Sequence, residues 1–326
     1  MIPTPVRPLV RVAVLAAAIA AGFAAAPGAA SAAAPQVKTQ APGYYRMMLG
    51  DFEVTALSDG TVDLPVDKLL KQPAARTTAE LKKGFLGAPT ETSVNGFLVN
   101  TGSKLVLIDT GAGGLFGPTL GKLAASLQAA GYKPEQVDDI FITHMHPDHV
   151  GSLAAGGQAA FPNAVVHIDK RDTDFWLSAD TLAKAAEGEK GMVQGAQASL
   201  APYVAAGKLQ PFEGASELVP GVRTLPSHGH TPGHASYVVE SRGQKLIVIG
   251  DLIHVAAVQL GDPAVTIDFD SDRKAAAAQR AAVFGQAARE GDWVAAAHLS
   301  FPGLGHLRAA GNSWQWIPAN YTTELK

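Results

Sequence analysis

The apolar residues of this chain include two similar pairs of runs, each pair joined by a short polar turn. Residues 96–108 contain two apolar runs around Asn-Thr-Gly-Ser, and residues 237–249 contain two around Ser-Arg-Gly-Gln. Apolar runs on both sides of a Gly-containing turn are typical of β-hairpins. An aspartate follows each pair, Asp109 and Asp251. The pattern indicates either an internal duplication with a site between the halves or a chance likeness of two common turns.

Strands and helices alternate around these hairpins. Leucines at helical spacing after Pro118 predict a helix that has Pro118 in its first turn and ends at Gly131. A buried strand is predicted at residues 137–143, followed by a helix that begins within residues 150–155. The other predicted elements are short strands with a tight turn at Asp59-Gly60 within residues 52–66, helices at 77–83 and 274–289, and a strand at 293–297. This alternation predicts a layered α/β domain.

The first 34 residues have the features of a signal peptide. Arg7 and Arg11 precede an alanine-rich apolar run at residues 12–26, and small residues suited to cleavage follow. The run is shorter than the roughly 20 apolar residues that a membrane-spanning helix needs. We therefore expect residues 1–34 to be a signal peptide, residues 35–326 to form one domain, and the protein to be exported to the periplasm or secreted, with no stable membrane insertion after processing.

The amino-acid composition limits which molecules the protein is expected to bind and which residue types can take part in catalysis or metal binding. The formal net charge is −3 over 326 residues, and no basic stripe of the kind that binds phosphate backbones is present, so nucleic acid is not an expected partner. A small molecule is expected instead. The chain has no cysteine, which excludes disulfides, thiolate nucleophiles and thiolate metal ligands. Any metal must be held by nitrogen and oxygen.

The strongest chemical signal is Thr-His-Met-His-Pro-Asp-His at residues 143–149, directly after the predicted buried strand. Pro147 disfavours a helix here, and in an extended or irregular backbone side chains two apart can converge. His144 and His146 could then hold one ion while Asp148 and His149 reach a second. The alternative is a polar loop that merely contains histidines, but three of the ten histidines fall within these six positions.

Further candidate ligands stand at the ends of predicted strands or in a Gly/Pro-rich loop. His230 lies in Ser-His-Gly-His-Thr-Pro-Gly-His at residues 227–234, Asp251 ends the second hairpin, and His298 ends the strand at 293–297. Taken alone, each of these is more often a hydrogen-bonded structural residue than a ligand. A carboxylate such as Asp251 has two oxygens and could bridge two ions.

The order of these residues resembles the dinuclear metallo-β-lactamase superfamily. The run His-x-His-x-Asp-His is followed by a distant Gly-His-Thr-Pro-Gly-His, then Gly-Asp, then a last His. The resemblance implies a four-layer αβ/βα sandwich with the metals at the edge of the two sheets. It assigns His144, His146 and His230 to a first ion, Asp148, His149 and His298 to a second, and Asp251 to both. It also implies that Asp109 orients a metal-bound histidine.

The remaining histidines are weaker candidates. His228 and His234 flank His230 and are expected to support it or its loop. His167, in an apolar strand, is expected to be structural. His306 is the rival of His298 for the last ligand.

Within the superfamily, the chain is similar to the methyl parathion hydrolases and the neighbouring lactonases and aryl esterases. The likeness rests on residues 41–47, 49–53, 56–61, 113–120 and 297–303. It places Phe116 and Trp176 in the substrate pocket, although large aromatics are also common core residues. The chain departs from the phosphotriesterase pattern at four expected pocket positions, Leu69, His254, Ile267 and Phe269. These departures favour a flat lactone or aryl ester, such as a dihydrocoumarin, over an organophosphate triester.

The resemblance implies two divalent ions, zinc first, with manganese, cobalt or iron as alternatives. A hydroxide between the ions would attack the ester carbonyl, with Asp148 and Asp251 as the catalytic carboxylates. A homodimer is implied by the likeness alone. The competing hypotheses are a phosphotriesterase on the same metals, a redox diiron protein, which usually has an acidic residue at the position of His146, and a catalytically silent binding protein.

Overall fold

The computed structural model describes Met1, Pro3 and residues 34–325. Its contacts separate a unit Met1–Ala41 from a unit Pro42–Lys326, and every element below belongs to the second. The predicted signal features at Arg7, Arg11 and residues 12–26 lie outside the described residues, so the signal peptide and the export remain predictions. Among the described helices, none combines the length and hydropathy needed to cross a bilayer.

The strands, in chain order, are β1 Tyr44–Leu49, β2 Phe52–Leu64, β3 Thr90–Asn100, β4 Leu105–Ile108, β5 Asp139–Phe141, β6 Ala154–Ala155, β7 Gln158–Ala159, β8 Val165–Asp169, β9 Leu209–Phe212, β10 Glu217–Val219, β11 Val222–Pro226, β12 Ala235–Ser241, β13 Gln244–Val248, β14 Trp293–Ala295, β15 Leu304–Ala310 and β16 Ser313–Pro318. The helices are α1 Val66–Leu69, α2 Ala74–Lys83, α3 Leu123–Ala129, α4 Pro147–Val150, α5 Lys170–Trp176, α6 Ala179–Lys184, α7 Glu187–Ala205, α8 Ala256–Gln259 and α9 Arg273–Glu290.

Two seven-stranded sheets form the centre of the unit. The first has the order β1-β2-β3-β4-β5-β8-β9, and the second has the order β10-β11-β12-β13-β14-β15-β16. Side chains of both sheets, among them Phe97 and Tyr237, pack together in one buried cluster. Helices α3 and α7 cover the other face of the first sheet, and α9 covers the other face of the second. This is the predicted four-layer αβ/βα sandwich.

The unbroken apolar runs of the hairpins follow from burial on both faces of each sheet. Successive side chains of a strand point to opposite faces. In β12, Tyr237 and Val239 enter the cluster between the sheets, while Val238 faces α9. In β4, Val106 faces the other sheet and Leu107 packs under α3 and α7. A strand that is buried on both faces has no polar side to alternate with, so both hairpins are confirmed.

The segment around Asp59 differs from the prediction. Residues 52–64 form one long strand, β2, with a bulge between Ser58 and Gly60, rather than short strands and a tight turn. Asp59 is buried, and its carboxylate accepts the backbone N–H groups of Ala112, Gly121 and Leu123, each at 2.9 Å. The side chain therefore fixes the loop between β4 and α3.

This contact also explains why the predicted start of the next helix is wrong. The helix α3 begins at Leu123 rather than near Pro118. Asp59 accepts the first N–H of the helix, and Gly121, with φ +79°, lies so close to the Gly113 carbonyl that a Cβ atom would be 2.3 Å away. The chain therefore cannot continue as a helix through Gly121.

Candidate metal centre

The first ligand loop follows β5 and changes conformation at Pro147. His146 has extended backbone, with φ −64° and ψ 147°, and Pro147 is the first residue of α4. The prediction of an extended or irregular backbone is therefore right up to His146 and wrong from Pro147 onward, because proline is well tolerated at the first helical position. The predicted helix within residues 150–155 is also displaced, since α4 ends at Val150 and a 3₁₀ turn follows. Asp148 and His149 project from the helical turn, and His144 and His146 from the extended part.

The predicted first set of ligands comes together around one point. The Nε2 atoms of His144 and His230 lie 2.9 and 3.0 Å from Nδ1 of His146. Oδ2 of Asp251 lies 3.3 Å from the His230 nitrogen and 3.6 Å from the His144 nitrogen. His144 and His230 are fully buried and Asp251 is nearly so. Four potential metal-ligating atoms, three imidazole nitrogens and one carboxylate oxygen, thus face each other from three separate loops.

The predicted second set shares Asp251 with the first. Oδ1 of Asp251 lies 3.1 Å from Nε2 of His149 and 3.0 Å from Nε2 of His298. Oδ2 of Asp148 lies 3.6 and 3.5 Å from the same two nitrogens. Oδ1 of Asp251 thus faces the second set, while Oδ2 faces the first and also lies 3.1 Å from Nε2 of His298, so the carboxylate stands between the two sets as a bridging ligand requires.

The outer nitrogens of these histidines are held by acceptors, and this fixes which nitrogen is free. Nδ1 of His149 donates to Asp109 Oδ2 at 2.8 Å, and Nδ1 of His230 donates to Asp270 Oδ1 at 2.8 Å. Nδ1 of His298 donates to the Ser93 carbonyl at 2.9 Å. With the proton on the outer nitrogen, each inner Nε2 presents a lone pair to the centre. Asp109 is thus placed as the resemblance implied.

Asp109 also holds the ligand loop itself. Its Oδ1 accepts the Thr143 backbone N–H and its Oδ2 accepts the Thr143 hydroxyl, both at 2.8 Å. The Thr143 hydroxyl in turn lies 3.1 Å from Nδ1 of His144. Asp109 adopts a left-handed φ of +60°, a strained conformation for a non-glycine residue. Two ligand histidines are oriented through this one carboxylate.

The donor geometry fits two small divalent ions. Tetrahedral coordination at the Zn–N distance of 2.0–2.1 Å places ligand atoms about 3.3 Å apart, close to the 2.9–3.6 Å found in both sets. Among the described residues, His149 Nε2 and Asp251 Oδ1 are buried without a hydrogen-bond partner. Buried polar atoms without partners are costly, and a cation would satisfy both. The donor set of imidazoles and carboxylates suits zinc, manganese, cobalt or iron.

Burial and the shared carboxylate move the pKa values of the ligands in opposite directions. Burial lowers the pKa of His144 and His146 well below the usual range, with further lowering by neighbouring histidines. Burial opposes the charged form of His230 too, but Asp251 and Asp270 outweigh it and raise its pKa to about 9. Burial alone would raise the pKa of Asp251, yet the surrounding histidines hold it well below its usual range. Without metal the centre therefore retains protons that a metal would displace.

His254 stands beside the two sets without being needed in either. It is buried, its Nε2 lies 3.0 Å from Asp251 Oδ2, and its ring stacks on His298 with centroids 5.0 Å apart. Within the described part of the chain, Nδ1 has no hydrogen-bond partner, and Nε2 lies beside Asp251 Oδ2 without the geometry of a hydrogen bond. Together with Asp251 and His298 it forms a third group that could hold a cation. Because its ring also lines the cavity above the centre, a molecule bound there would contact it.

Two adjoining cavities open above the centre. We call the smaller, of about 60 Å³, the chamber, and the larger, of about 750 Å³, the annex. His146, Met192 and Phe269 line both. The chamber is further lined by Val62, Leu64, Phe116, Leu120, Pro147, Asp148, Asp251, His254 and His298. The annex is further lined by Phe175, Trp176, Asp180, Thr181, Lys184, Ala185, Glu189, Val193, Asp268, Asp270 and Ser271.

The predicted pocket residues divide into those that line a cavity and those that do not. Phe116, His254 and Phe269 line the chamber, and Trp176 lines the annex. Leu69 and Ile267 line neither and lie in an apolar cluster with Val66 and Leu81, which corrects their assignment. Ile267 is fully buried and forms a β-bridge with Leu70, so the strand pairing fixes it inside the wall.

The other histidines have partners away from the two sets. His167 contacts Asp139 at 3.0 Å, His228 contacts Asp169 at 3.1 Å, and His306 donates to the Asp292 carbonyl at 3.0 Å. The rings of His306 and Trp293 pack together with their centroids 4.0 Å apart. His306 belongs to neither ligand set, so His298 is the candidate for the last ligand. His234 is different, because its Nε2 accepts the backbone N–H of Asp251 at 3.0 Å. It therefore supports the shared ligand rather than His230.

Three supporting residues were not found from the sequence. Asp270 accepts from His230, Ser93 supplies a carbonyl to His298, and the Thr143 hydroxyl contacts His144. Thr143 is adjacent to a ligand and could have been proposed from its position. A backbone carbonyl such as that of Ser93 leaves no signal in the side-chain sequence, and Asp270 is one of several aspartates in its loop.

Comparisons with known proteins agree with this geometry. The profile of the family described as the metallo-beta-lactamase superfamily matches residues 89–298. The hydrolase AbOPH of the beta-lactamase superfamily is 38% identical with a TM-score of 0.82, over 87% of this chain and 100% of that chain. AidC, a dizinc quorum-quenching lactonase, is 29% identical with a TM-score of 0.79, over 86% and 99%. An N-acyl homoserine lactonase of Bacillus cereus is 28% identical over 128 residues, 39% of this chain and 43% of the relative. The chain thus spans between 43% and 61% of the length of the curated relatives of this kind that it matches.

Proposed function

This chain belongs to the metallo-β-lactamase superfamily, and we propose that within it the protein is a metal-dependent hydrolase that opens lactones. The observation that carries the proposal is the pair of ligand sets that share Asp251 at the floor of an apolar chamber. Similarity to a dizinc lactonase over 86% of the chain supports both the metal and the reaction.

The ligand sets would hold two divalent ions, with zinc expected first. His144, His146 and His230 would hold one, Asp148, His149 and His298 the other, and Asp251 both. When bound, such a pair supplies a hydroxide near neutral pH and polarises an ester carbonyl. Asp148 lies at the chamber wall with 19% of its side chain exposed, so its carboxylate can accept a proton and pass it to the departing oxygen. The ring of His254 can donate a hydrogen bond to the substrate.

Cavity size and charge favour a neutral substrate with two unequal parts. The chamber, at about 60 Å³, leaves room beside the ligands for the reacting part of a substrate only, and the annex offers about 750 Å³ for the remainder. Among the described residues that line the chamber, none is lysine or arginine, so no cationic side chain there would hold a charged substrate. We therefore propose a lactone ring in the chamber with its substituent along Trp176 and Phe269. N-acyl homoserine lactones and dihydrocoumarin-like aryl esters both have this form.

A neutral phosphotriester is the second candidate substrate. The same absence of cationic side chains at the chamber wall would admit its uncharged ester groups. His254 and Phe269 narrow the chamber beside the shared ligand, and a tetrahedral phosphorus needs more room there than a planar carbonyl. We propose phosphotriester hydrolysis as a side activity only.

A hydrolysis screen with metal analysis on the same sample tests the proposal. Zinc-loaded protein is assayed on N-hexanoyl homoserine lactone, dihydrocoumarin, an aryl acetate and an aryl dialkyl phosphate, with Asp251→Ala as the matched control. We expect a lactone to be the best substrate and the control to be inactive. Two bound ions with no lactone turnover, or a phosphotriester preferred over every lactone, would contradict it. Two bound iron ions with redox activity would favour the diiron hypothesis.

Export and assembly belong to the same proposal. We propose that residues 1–34 direct export and are removed, and that the mature protein is a homodimer. N-terminal sequencing of protein from a periplasmic fraction and its mass in solution test these two points separately.

A further inference from the structure

Asp172 is a buried carboxylate that joins the two loops of the first ligand set. It lies in the first turn of α5 and is fully buried. Its Oδ2 accepts the backbone N–H of Met145 and the Thr231 hydroxyl, both at 2.9 Å. Its Oδ1 accepts the backbone N–H of Gly233 at 2.6 Å. All three donors are neutral, so the carboxylate is satisfied without a counter-ion of its own.

Two of the three donors stand next to ligands of the first set, and the third, Gly233, precedes His234, which holds the backbone N–H of the shared Asp251. Met145 lies between His144 and His146, and Thr231 directly follows His230. These three histidines make up the imidazole part of the first set. Among the described residues, the Asp172 side chain has no hydrogen-bond partner in the segment that carries His298. One side chain thus connects every histidine loop of the first set without touching a ligand atom.

The Gly233 loop packs so closely against Asp172 that a shift of one would move the other. A Cβ atom at Gly233 would lie 2.5 Å from the Asp172 backbone nitrogen, so the second loop rests directly on the start of α5. Three donors converge on two oxygens, which a carboxylate accommodates because it only accepts. An amide in its place would turn an N–H₂ group towards one of the donors, and a buried donor would lose its partner.

We propose that Asp172 is a positioning residue that sets the separation of His146 and His230, and thereby the affinity of the first ligand set for its ion. It acts through the two loops, so we expect it to affect the first set more than Asp148 and His149, which lie further along the first loop on α4. The inference rests on the dinuclear centre of the proposed function but not on the substrate, so metal titration tests it even if no lactone is hydrolysed.

The experiment isolates each ligand set by removing the other. In the full chain, His298→Ala weakens the second set and His230→Ala weakens the first. Asp172→Asn and Asp172→Ala are added to each background, and the apoproteins are titrated with Co²⁺ under chelator competition, with absorption as the readout. Asp174→Ala is the matched control, because Asp174 lies two residues along the same helix with 62% of its side chain exposed.

We expect the Asp172 variants to weaken Co²⁺ binding about 10- to 100-fold in the His298→Ala background, as for other groups that support metal ligands. In the His230→Ala background and in the control we expect changes within about twofold. Equal losses in both backgrounds, or no loss in either, would overturn the proposal.

Asp172→Ala could fail to fold, and Thr231→Val then carries the test. It removes one donor and nearly keeps the side-chain shape, so a smaller loss confined to the His298→Ala background is expected. A folded Thr231→Val protein with unchanged affinity in that background, together with an unfolded Asp172→Ala protein, would show that Asp172 supports the fold alone and would refute its positioning role.

Discussion

Asp270 gives the sharpest test of how the ligand histidines are supported. Its Oδ1 accepts the Nδ1 proton of His230 at 2.8 Å, and both side chains are fully buried. Its Oδ2 accepts the Ile267 backbone N–H at 3.0 Å. We predict that Asp270→Asn weakens metal binding at the first set, because a neutral amide replaces a charge-assisted acceptor and cannot accept from both donors.

The size of the effect depends on pH. A hydrogen bond to a charged group contributes about 1.5–3 kcal/mol and a neutral one about 0.5–1.5 kcal/mol, so the exchange costs about 1–2 kcal/mol, or roughly 5- to 30-fold in affinity. An opposing effect acts through the pKa of about 9 of His230, for which Asp270 is partly responsible. At pH 7 a proton competes with the metal for His230 in the native chain, and the variant relieves part of that competition. The loss should therefore be full near pH 9.5 and smaller at pH 7.

The assay is zinc binding by chelator competition at both pH values, with Asp268→Asn as control. Asp268 lies in the same loop, is 39% exposed and pairs with Lys71 and Arg273, so its variant should bind zinc like the native chain. An affinity gap for Asp270→Asn that is absent, or that is equal at the two pH values, would refute the reasoning. So would a matching loss in Asp268→Asn.

Four further predictions follow from single contacts. Asp251→Ala should abolish hydrolysis and empty at least one ligand set, because each set loses an oxygen of the shared carboxylate. Normal activity together with two bound ions by elemental analysis would exclude Asp251 as a bridging ligand. His254→Leu should keep both ions and lower kcat/KM for a lactone about 10-fold or more through loss of a substrate hydrogen bond, and unchanged kinetics would remove His254 from the reaction. Asp59→Ala should lower the free energy of unfolding by about 3 kcal/mol, since three N–H groups, two of them buried, lose their acceptor. Denaturant unfolding measures this, and a change below about 1 kcal/mol would contradict it. Burial lowers the pKa of His234 to about 3, so below about pH 6.5 the unfolded chain binds a proton at this residue and the native protein does not. The free energy of unfolding should therefore fall by up to about 2 kcal/mol between pH 6.5 and 5. If the melting temperature of His234→Gln has the same pH slope as that of the native chain, this account is ruled out.

The parts of the centre that could be predicted are those whose signal is local. The histidines of residues 143–149 are adjacent in sequence, and His230 lies in a Gly/Pro-rich loop whose composition already marks it. The hairpins could be predicted because their turns and apolar runs are contiguous. Order along the chain then connected the distant ligands through a family resemblance, which physical reasoning on each residue alone would not have done.

The supporting aspartates could not be predicted because their partners are distant backbone groups. Asp59 accepts N–H groups 53 to 64 residues away, and Asp172 reaches 27 residues back and 61 residues forward. Nothing in the sequence near either residue differs from that of an ordinary surface aspartate. The error at Ile267 has the same origin, because its burial depends on a bridge to Leu70 that only the folded chain creates.

The two hairpins occupy matching places in the two sheets, but their aspartates do not. Each second strand runs parallel to the strand beside it, β4 to β5 and β13 to β14. Past these strands, the N–H of Asp109 donates to the Phe141 carbonyl, and the N–H of Ile249 donates to the Ala295 carbonyl. The counterpart of Asp109 is therefore Ile249, and Asp251 comes two residues later.

This offset explains why two aspartates that look alike in sequence have different tasks. Asp109 directly follows its strand and lies behind His149, where its carboxylate orients the ring and holds Thr143 instead of facing the centre. Asp251 follows Gly250, whose φ of +52° turns the chain, and a Cβ atom on that glycine would lie 2.6 Å from Nε2 of His234. The turn brings the Asp251 carboxylate between the two ligand sets while His234 holds its backbone N–H. The second hairpin thus presents its aspartate to both ligand sets from two residues beyond the position equivalent to Asp109, and the aspartate of the first supports the centre from outside.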